Sequence, residues 1–483
     1  MPPRSRAGRL VFPALRWSEQ SGFTHEEPAI RTALEIGAGG FVIFGGAAAA
    51  VRALTRDLRA RAGRPLLIAS DLERGAGQQF EGATALPPAA AFGWLDDLDA
   101  TRHAGELTAR EALALGVNWV YAPVADLDVE PRNPIVGTRA FGADAERVAR
   151  HVAAFVRGCR SAGALSCAKH FPGHGRTTHD SHAELPVVDA PRDRLALDLR
   201  PFTAALSAGV ETIMTAHVAY PALDARTVPA TRSEPIIAGV LRRELGFAGL
   251  VVTDALIMEG VLQAGGESEA AISAVAAGCD ALLYPQDPSV VATALAAAPE
   301  SRLAASRLAD AIERVEAFAA RTPADGRGAW GQVRDREWAA SVGARATFAA
   351  RGEPVCPRSF ELVTIDDDVG GPYPPPSRHV FPAQLRAAGF RVDEIDRPTG
   401  SRPVVMAVYA DIRAWKGRPG LSAQARATCE EVAVVAEPAL TVLFAHPRLA
   451  DRVPGQALLV AWGGESAMQR AAALRLSGVV ADR

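Results

Sequence analysis

The sequence predicts an α/β protein: a closed parallel (β/α) barrel of the TIM type, followed by a smaller α/β sandwich domain. Three observations predict it. Short apolar, β-branched runs alternate with alanine- and arginine-rich amphipathic stretches through the first two thirds of the 483 residues. Eight such runs fall within about 300 residues, which is the strand count of a closed barrel; an open doubly wound sheet is the alternative. The conspicuous polar residues stand at the C-terminal ends of these runs, where such barrels gather their functional groups.

In chain order the candidate strands are LVFPAL at 10–15, FVIF at 41–44, LLIAS at 66–70, VNWVYAP at 117–123, ALSCAKH at 164–170, ETIMTAH at 211–217, GLVVTD at 249–254 and DALLY at 280–284. Helical patterns separate them, among them 145–163 and 195–209. Asp71, Asp126, Lys169, His170, His217 and Asp254 sit at or just past strand ends. From about 300 to 355 the pattern changes to helices around a Pro/Gly joint. The expected division is therefore a barrel over 1–310, a helical linker over 311–355 and a C-terminal α/β domain over 356–483. In that last part ELVTID, PVVMAVYA, LTVLFA and ALLVAW read as strands, and 422–436 as a helix. The acidic DDDVGGPYPPPS at 366–377 reads as a solvated Pro/Gly turn rather than a metal site.

Composition narrows the function classes. A hydrophobic content of 48% and a formal charge of −3 describe a globular chain without the basic field that nucleic acid requires. No window approaches the roughly 18–20 apolar residues that span a bilayer, and the first residues lack the apolar centre of an export signal. The five cysteines are odd in number, scattered and never in a CxxC pair, the usage of a reducing compartment. The expectation is a cytoplasmic protein with no nucleic-acid or membrane partner, its cysteines buried as small apolar residues.

Four of the ten histidines crowd into KHFPGHGRTTHDSH at 169–182. His170 and His174 have the spacing of two ligands on one helix face, but Pro172 and Gly173 between them forbid that helix. A loop could still gather them, which leaves a metal site as the lesser alternative. The glycines do not follow the order of a phosphate-binding loop. An acid/base reading uses the end of the segment: in an extended chain Asp180 and His182 project to the same side, so the carboxylate favours the imidazolium and fixes its tautomer. Such a dyad can protonate a leaving oxygen and then deprotonate water. Its partner would attack carbon, and Asp254 in GLVVTDALIMEGV is the candidate, with an N-cap on a helix beginning ALIMEG as its competing role.

These residues together resemble glycoside hydrolase family 3, and within it the bacterial β-N-acetylglucosaminidases. The resemblance covers most of residues 10–290, through FVIF, SDLERG, APVADLDVEPRNPIVGTRAFG, KHFPGHG, the Asp-Ser-His triplet, MTAHVAYPALD and VVTDALIMEG. It implies a retaining double displacement with Asp254 as nucleophile and His182 as acid/base, assisted by Asp180. Most retaining glycosidases use two carboxylates, and in this subgroup a loop histidine replaces one. It further implies that Asp71, Arg139, Lys169 and His170 bind sugar hydroxyls, with His217 near the pocket floor, and that neither cofactor nor metal is needed. The chain departs from the family after Asp71: DLERGAGQQ stands where DQEGGRVQR is usual, so Arg74 replaces a glycine and Gln79 an arginine.

The expected activity is exo-release of terminal β-linked N-acetylglucosamine from cell-wall fragments or chitooligosaccharides. Three alternatives accompany it: phosphorolysis with inorganic phosphate as acceptor, a β-glucosidase tolerant at C2, and a degenerate carbohydrate-binding relative. A histidine acid/base need not repel phosphate as a carboxylate would, so phosphorolysis is physically open.

Overall fold

The computed structural model describes residues 3–179, 185–262, 265–324, 326, 328–369, 375–412 and 416–478. Each of the eight expected barrel runs forms a strand. The first is broken at Pro13 into β1 (Val11–Phe12) and β2 (Ala14–Arg16). It is followed by β3 (Gly40–Phe44), β4 (Leu67–Ser70), β5 (Trp119–Val120), β6 (Leu165–Phe171), β7 (Thr212–Thr215), β8 (Leu250–Thr253) and β9 (Leu282–Leu283). Strands β2 to β8 lie side by side in chain order, all parallel. The ring closes because β1 pairs with β9, in register Val11 to Leu282, and a Val252–Ala281 bridge joins β8 to the β9 segment. Strands covered on both faces are mostly apolar, as the fully buried Leu67–Ser70 and Leu250–Thr253 are up to their last residue, which bears a hydroxyl.

Helices wrap the ring. Among them α4 (Leu98–Ala114) and α5 (Ala145–Ala162) are capped by Asp97 and Asp144, whose side chains accept from Ala100 N and Arg147 N. These two helices touch backbone to backbone: a Cβ on Gly105 would meet the Phe155 carbonyl, and one on Gly158 the Arg102 carbonyl. α10 (Ala305–Arg321) runs across residue 310, where the sequence suggested a boundary, and its Leu308, Ile312, Val315 and Phe318 join the barrel core. α11 (Val333–Ala346) then leads into the second domain.

The second domain holds a six-stranded sheet in the order β10-β15-β14-β13-β11-β12. Its strands are β10 (Phe348–Arg351), β11 (Ser359–Asp366), β12 (Arg391–Glu394), β13 (Val404–Ala410), β14 (Leu440–Ala445) and β15 (Ala457–Val460). β10, drawn from the segment that the sequence suggested was all linker, pairs antiparallel with β15; the other pairings are parallel. Apolar clusters on both faces of the sheet make it a sandwich, with α12 (Val380–Ala387) and α14 (Ser466–Leu476) on one side and α13 (Ala423–Val435) on the other.

The aspartates 366–368 are not a solvated turn. Asp367 and Asp368 are buried and paired, Asp367 with Arg418, Asp368 with Arg378 and Lys416, while Asp366 pairs with Arg378. Cations brought from further along the chain neutralise them, which local composition could not reveal. Among the described residues no His, Cys, Asp and Glu cluster is suited to hold a metal ion, and no helix is long and apolar enough to cross a membrane. All five cysteines are free and buried.

Candidate active site at the barrel mouth

The C-terminal ends of β4, β5, β6, β7 and β8 bring most of the sequence-predicted site residues to one mouth. Lys169, on β6, is 2% exposed and reaches two carboxylates from the loop after β4: its Nζ lies 2.5 Å from Asp71 Oδ1 and 2.7 Å from Glu73 Oε1. Arg139, from the loop after β5, forks onto the same glutamate, Nε to Oε2 at 2.9 Å and Nη2 to Oε1 at 2.8 Å. Burial opposes charge on Glu73, yet Arg139 and Lys169 together hold its carboxyl well below the usual range. Burial likewise disfavours the charged forms of Lys169 and Arg139, and the facing carboxylates override it to raise both. The cluster is a preorganised set of forked and pointed donors with Asp71, 31% exposed, at its open side.

His170 is fixed by Asp126, fully buried after β5. The ring's Nδ1 donates to Asp126 Oδ2 at 2.7 Å, and Oδ1 of the same carboxylate accepts the backbone N–H of His170 and of His174. Burial again opposes the charge, and His170 and His174 keep the carboxyl below its ordinary value. The second ring nitrogen of His170 is thereby set as an acceptor when the ring is neutral. The Lys169–His170 and Phe171–Pro172 peptides are cis, and the chain from Pro172 to Gly175 is not helical, so His170 and His174 do not share a helix face.

Asp254 follows β8 directly and is half-buried. Its Oδ1 accepts the N–H of Ala255 at 2.8 Å, and its own N–H donates to Thr215 O. The competing N-cap role is absent: residues 255–258 form a turn, and the next helix begins only at Glu259. His217 is fully buried beneath this turn, donating from Nε2 to Ala255 O at 3.1 Å, with Nδ1 against Thr231 Oγ1 at 2.8 Å. Asp71 and Asp254 both lie near one fully buried phenol, Tyr121, whose titration is pushed well above its usual value by burial and then by the neighbouring Cys167, Asp71 and Asp254. Asp180 and His182 lie outside the described residues.

Two partners were not singled out as site residues from the sequence. Glu73 sits in the quoted SDLERG stretch, and Asp126 at a strand end; what the sequence lacked was the identity of their partners, Arg139 and His170, 66 and 44 positions away. The family departures are also explained. Arg74 turns away from the mouth to Asp411 of the second domain, and Gln79 accepts the N–H of Gly45 at 3.1 Å. A separate cavity of about 580 Å³ lies at the opposite end of the barrel, between the starts of β7 and β8, lined by Arg160, Glu211 and Phe247; none of the chemistry above is there.

A (β/α) barrel whose mouth combines a strand-end carboxylate with ion-paired donors suited to a polyol defines a class of carbohydrate-active enzyme. The sequence profile of the glycosyl hydrolase family 3 N-terminal domain matches residues 37–318, and the chain belongs to that family: it is a glycoside hydrolase. It is similar to a β-hexosaminidase of Vibrio cholerae serotype O1, 41% identical over 234 residues that span 48% of this chain and 69% of the other. Among solved structures it is similar to a family 3 β-N-acetylglucosaminidase from Paenibacillus sp. str. FPU-7, with TM-score 0.87 and 30% identity over 100% of this chain and 97% of that one. It is also similar to a β-glucoside phosphorylase, BglX, bound to 2FGlc, with TM-score 0.86 and 25% identity over 100% and 93% of the two chains.

Proposed function

We propose that the protein is a retaining exo-β-N-acetylglucosaminidase that removes terminal β-linked N-acetylglucosamine from cell-wall fragments or chitooligosaccharides. The observation that carries this reading is the half-buried carboxylate of Asp254 at the C-terminal end of β8, at the same end of the barrel as the Asp71–Lys169–Glu73–Arg139 cluster. The sugar ring is held by Asp71, Lys169, Arg139 and His170 through its hydroxyls. Asp254 attacks C1 as the bond to the leaving oxygen breaks, and His182, assisted by Asp180, delivers the proton to that oxygen. In the second half, His182 takes a proton from water, whose oxygen replaces Asp254 at C1. The net configuration is retained because the carbon is inverted twice. His217 acts from beneath, holding the turn that follows Asp254.

The five unpaired, buried cysteines support placement in a reducing compartment, hence a cytoplasmic recycling role. A second reading is favoured by the likeness to the β-glucoside phosphorylase: phosphate takes the place of water in the second half and a sugar 1-phosphate leaves. Incubation with aryl β-N-acetylglucosaminide and aryl β-glucoside, each with and without inorganic phosphate, separates the readings. Free N-acetylglucosamine at a phosphate-independent rate is expected. A sugar 1-phosphate product, or faster turnover of the glucoside, overturns the proposal.

A further inference from the structure

We propose that Arg74 is a positioning residue through which the second domain holds the sugar-binding cluster in register. The proposal rests on the reading of Lys169 and Arg139 as sugar-binding donors. Arg74 adjoins Glu73 in the chain, yet the two side chains have opposite destinations: Glu73 goes to Arg139 and Lys169, Arg74 to the second domain. Arg74 is 8% exposed, and its guanidinium forks onto Asp411, Nη1 to Oδ2 at 2.7 Å and Nη2 to Oδ1 at 3.1 Å, while Glu465 meets the same Nη1. Asp411 follows β13 and Glu465 precedes α14, so two elements of the second domain converge on one cation from the barrel. The backbone of Arg74 is pinned as well, its N–H to Gln78 Oε1 at 2.7 Å and its carbonyl to Leu86 N at 2.8 Å. The Arg74 and Glu73 side chains thus hang from adjacent, fixed positions of one loop, so the seat of the guanidinium and the place of Glu73 are set together.

The anchor on the other side is itself fixed. The Asp411 N–H donates to Asp368 Oδ1 at 2.9 Å and its carbonyl accepts from Lys416 Nζ at 2.9 Å; Asp368 is in turn held by Lys416 and Arg378, each at 2.6 Å. The residue after Asp411 touches the other leg of the cluster. Ile412 packs on Gly137, where φ is +40 and a Cβ would strike the Ile412 side chain, and Gly137 opens the turn that carries Arg139. A third grip comes two residues past Asp126, where Asp128 is met by Arg448 and by His446 Nε2 at 2.9 Å. The loops that supply Glu73, Arg139 and Asp126 are thus all seated on the second domain. Two of these links, Arg74–Asp411 and Asp128–Arg448, carry charge on both sides; Arg74 is the one adjacent in the chain to a carboxylate of the cluster, and its bidentate guanidinium fixes distance and angle together.

The test is a double-mutant cycle in the full chain, read as separate KM and kcat on an aryl β-N-acetylglucosaminide. Arg74→Met and Asp411→Asn are each expected to lower kcat/KM about tenfold, chiefly by raising KM, and the double variant to be no worse than the poorer single. Arg74→Lys should recover part of the loss, and it decides the matter if Arg74→Met does not fold. Arg418→Ala, which loosens the second domain at Asp367 away from the seam, should leave both constants unchanged. Arg74→Met, or Arg74→Lys where Arg74→Met does not fold, with both constants within about twofold of wild type, additive losses in the double variant, or an equal loss in Arg418→Ala would overturn the proposal. Lys169→Met separates the two failures. If it raises KM while the Arg74 variants do not, positioning alone is wrong; if it leaves KM unchanged, the sugar-binding reading falls and the positioning proposal with it.

Discussion

The parallel strands of both sheets end in clusters of charge, and the two clusters are built differently. At the barrel mouth Asp71 is 31% exposed and Asp254 half-buried, so carboxylates border open space beside the Lys169 and Arg139 cations. At the matching end of the second sheet, Asp368 is wholly covered, Lys416 is 2% exposed, and Arg378 spans Asp366 and Asp368. Parallel strands deliver their following loops to one end, so polar residues collect there in either sheet. The difference lies in closure. A cluster whose charges are spent on one another holds a domain together, whereas one that leaves carboxylates at its rim can meet a ligand.

The largest expected effect breaks the open cluster at its reacting atom. Asp254→Asn should lower turnover by about 10⁴-fold, roughly 5 kcal/mol of transition-state stabilisation, because an amide cannot form the glycosyl ester. Intact-protein mass after incubation with a mechanism-based 2-fluoro sugar checks it. Wild type gains the mass of one sugar and the variant does not; a labelled variant would assign the nucleophile elsewhere.

The sequence made the barrel legible because its strands are buried on both faces and so read as mainly apolar runs whose polar residues gather toward the C-terminal end, and because the intervening helices carry a different period. The edges of the second sheet lacked that signal. β12 is RVDE and β10 is largely exposed, so neither stands out as apolar. For the site, strand-end position and the family motif singled out Asp71, Arg139, Lys169, His170 and Asp254, all of which stand at the C-terminal ends of the barrel strands or in the loops that follow them. They could not find which carboxylate sets which cation. Glu73 and Asp126 matter through pairings that close only when distant strands become neighbours in the ring. The same limit explains the misreading of Asp366–Asp368, whose neutralising Arg378, Lys416 and Arg418 come from other loops.

The second expected effect exploits the burial of the mouth. His174 is 2% exposed, and burial, then the neighbouring His170, push its imidazole down to about 4 against the pull of Asp126 and Asp254. An unfolded histidine titrates near 6.5, so the unfolded chain takes up a proton that the folded one refuses as pH falls from about 6.5 to 4. Stability is complete above that window and lost through it, by about 3 kcal/mol from this residue. Asp198, lifted to about 6 by burial despite its pair with Arg176, acts in the opposite sense between about 4 and 6 and offsets part of the loss. Urea midpoints at neutral and acid pH should therefore converge in His174→Asn more than in wild type. An unchanged acid limb in the variant would place the sensitivity elsewhere.

The smallest expected effect strikes the closed cluster. Asp367 accepts the N–H and hydroxyl of Ser422, the residue that caps α13, and pairs with Arg418. Asp367→Ala removes these bonds and leaves a partly buried cation short of its partner, at a cost of about 2 kcal/mol. Because the Asp367–Arg418–Ser422 bonds are separate from the Asp368–Asp411–Arg74 contacts, KM and kcat should stay at wild-type values while the melting temperature falls. A kinetic change without a stability change would mean that Asp367, too, helps to hold Asp411 against the barrel.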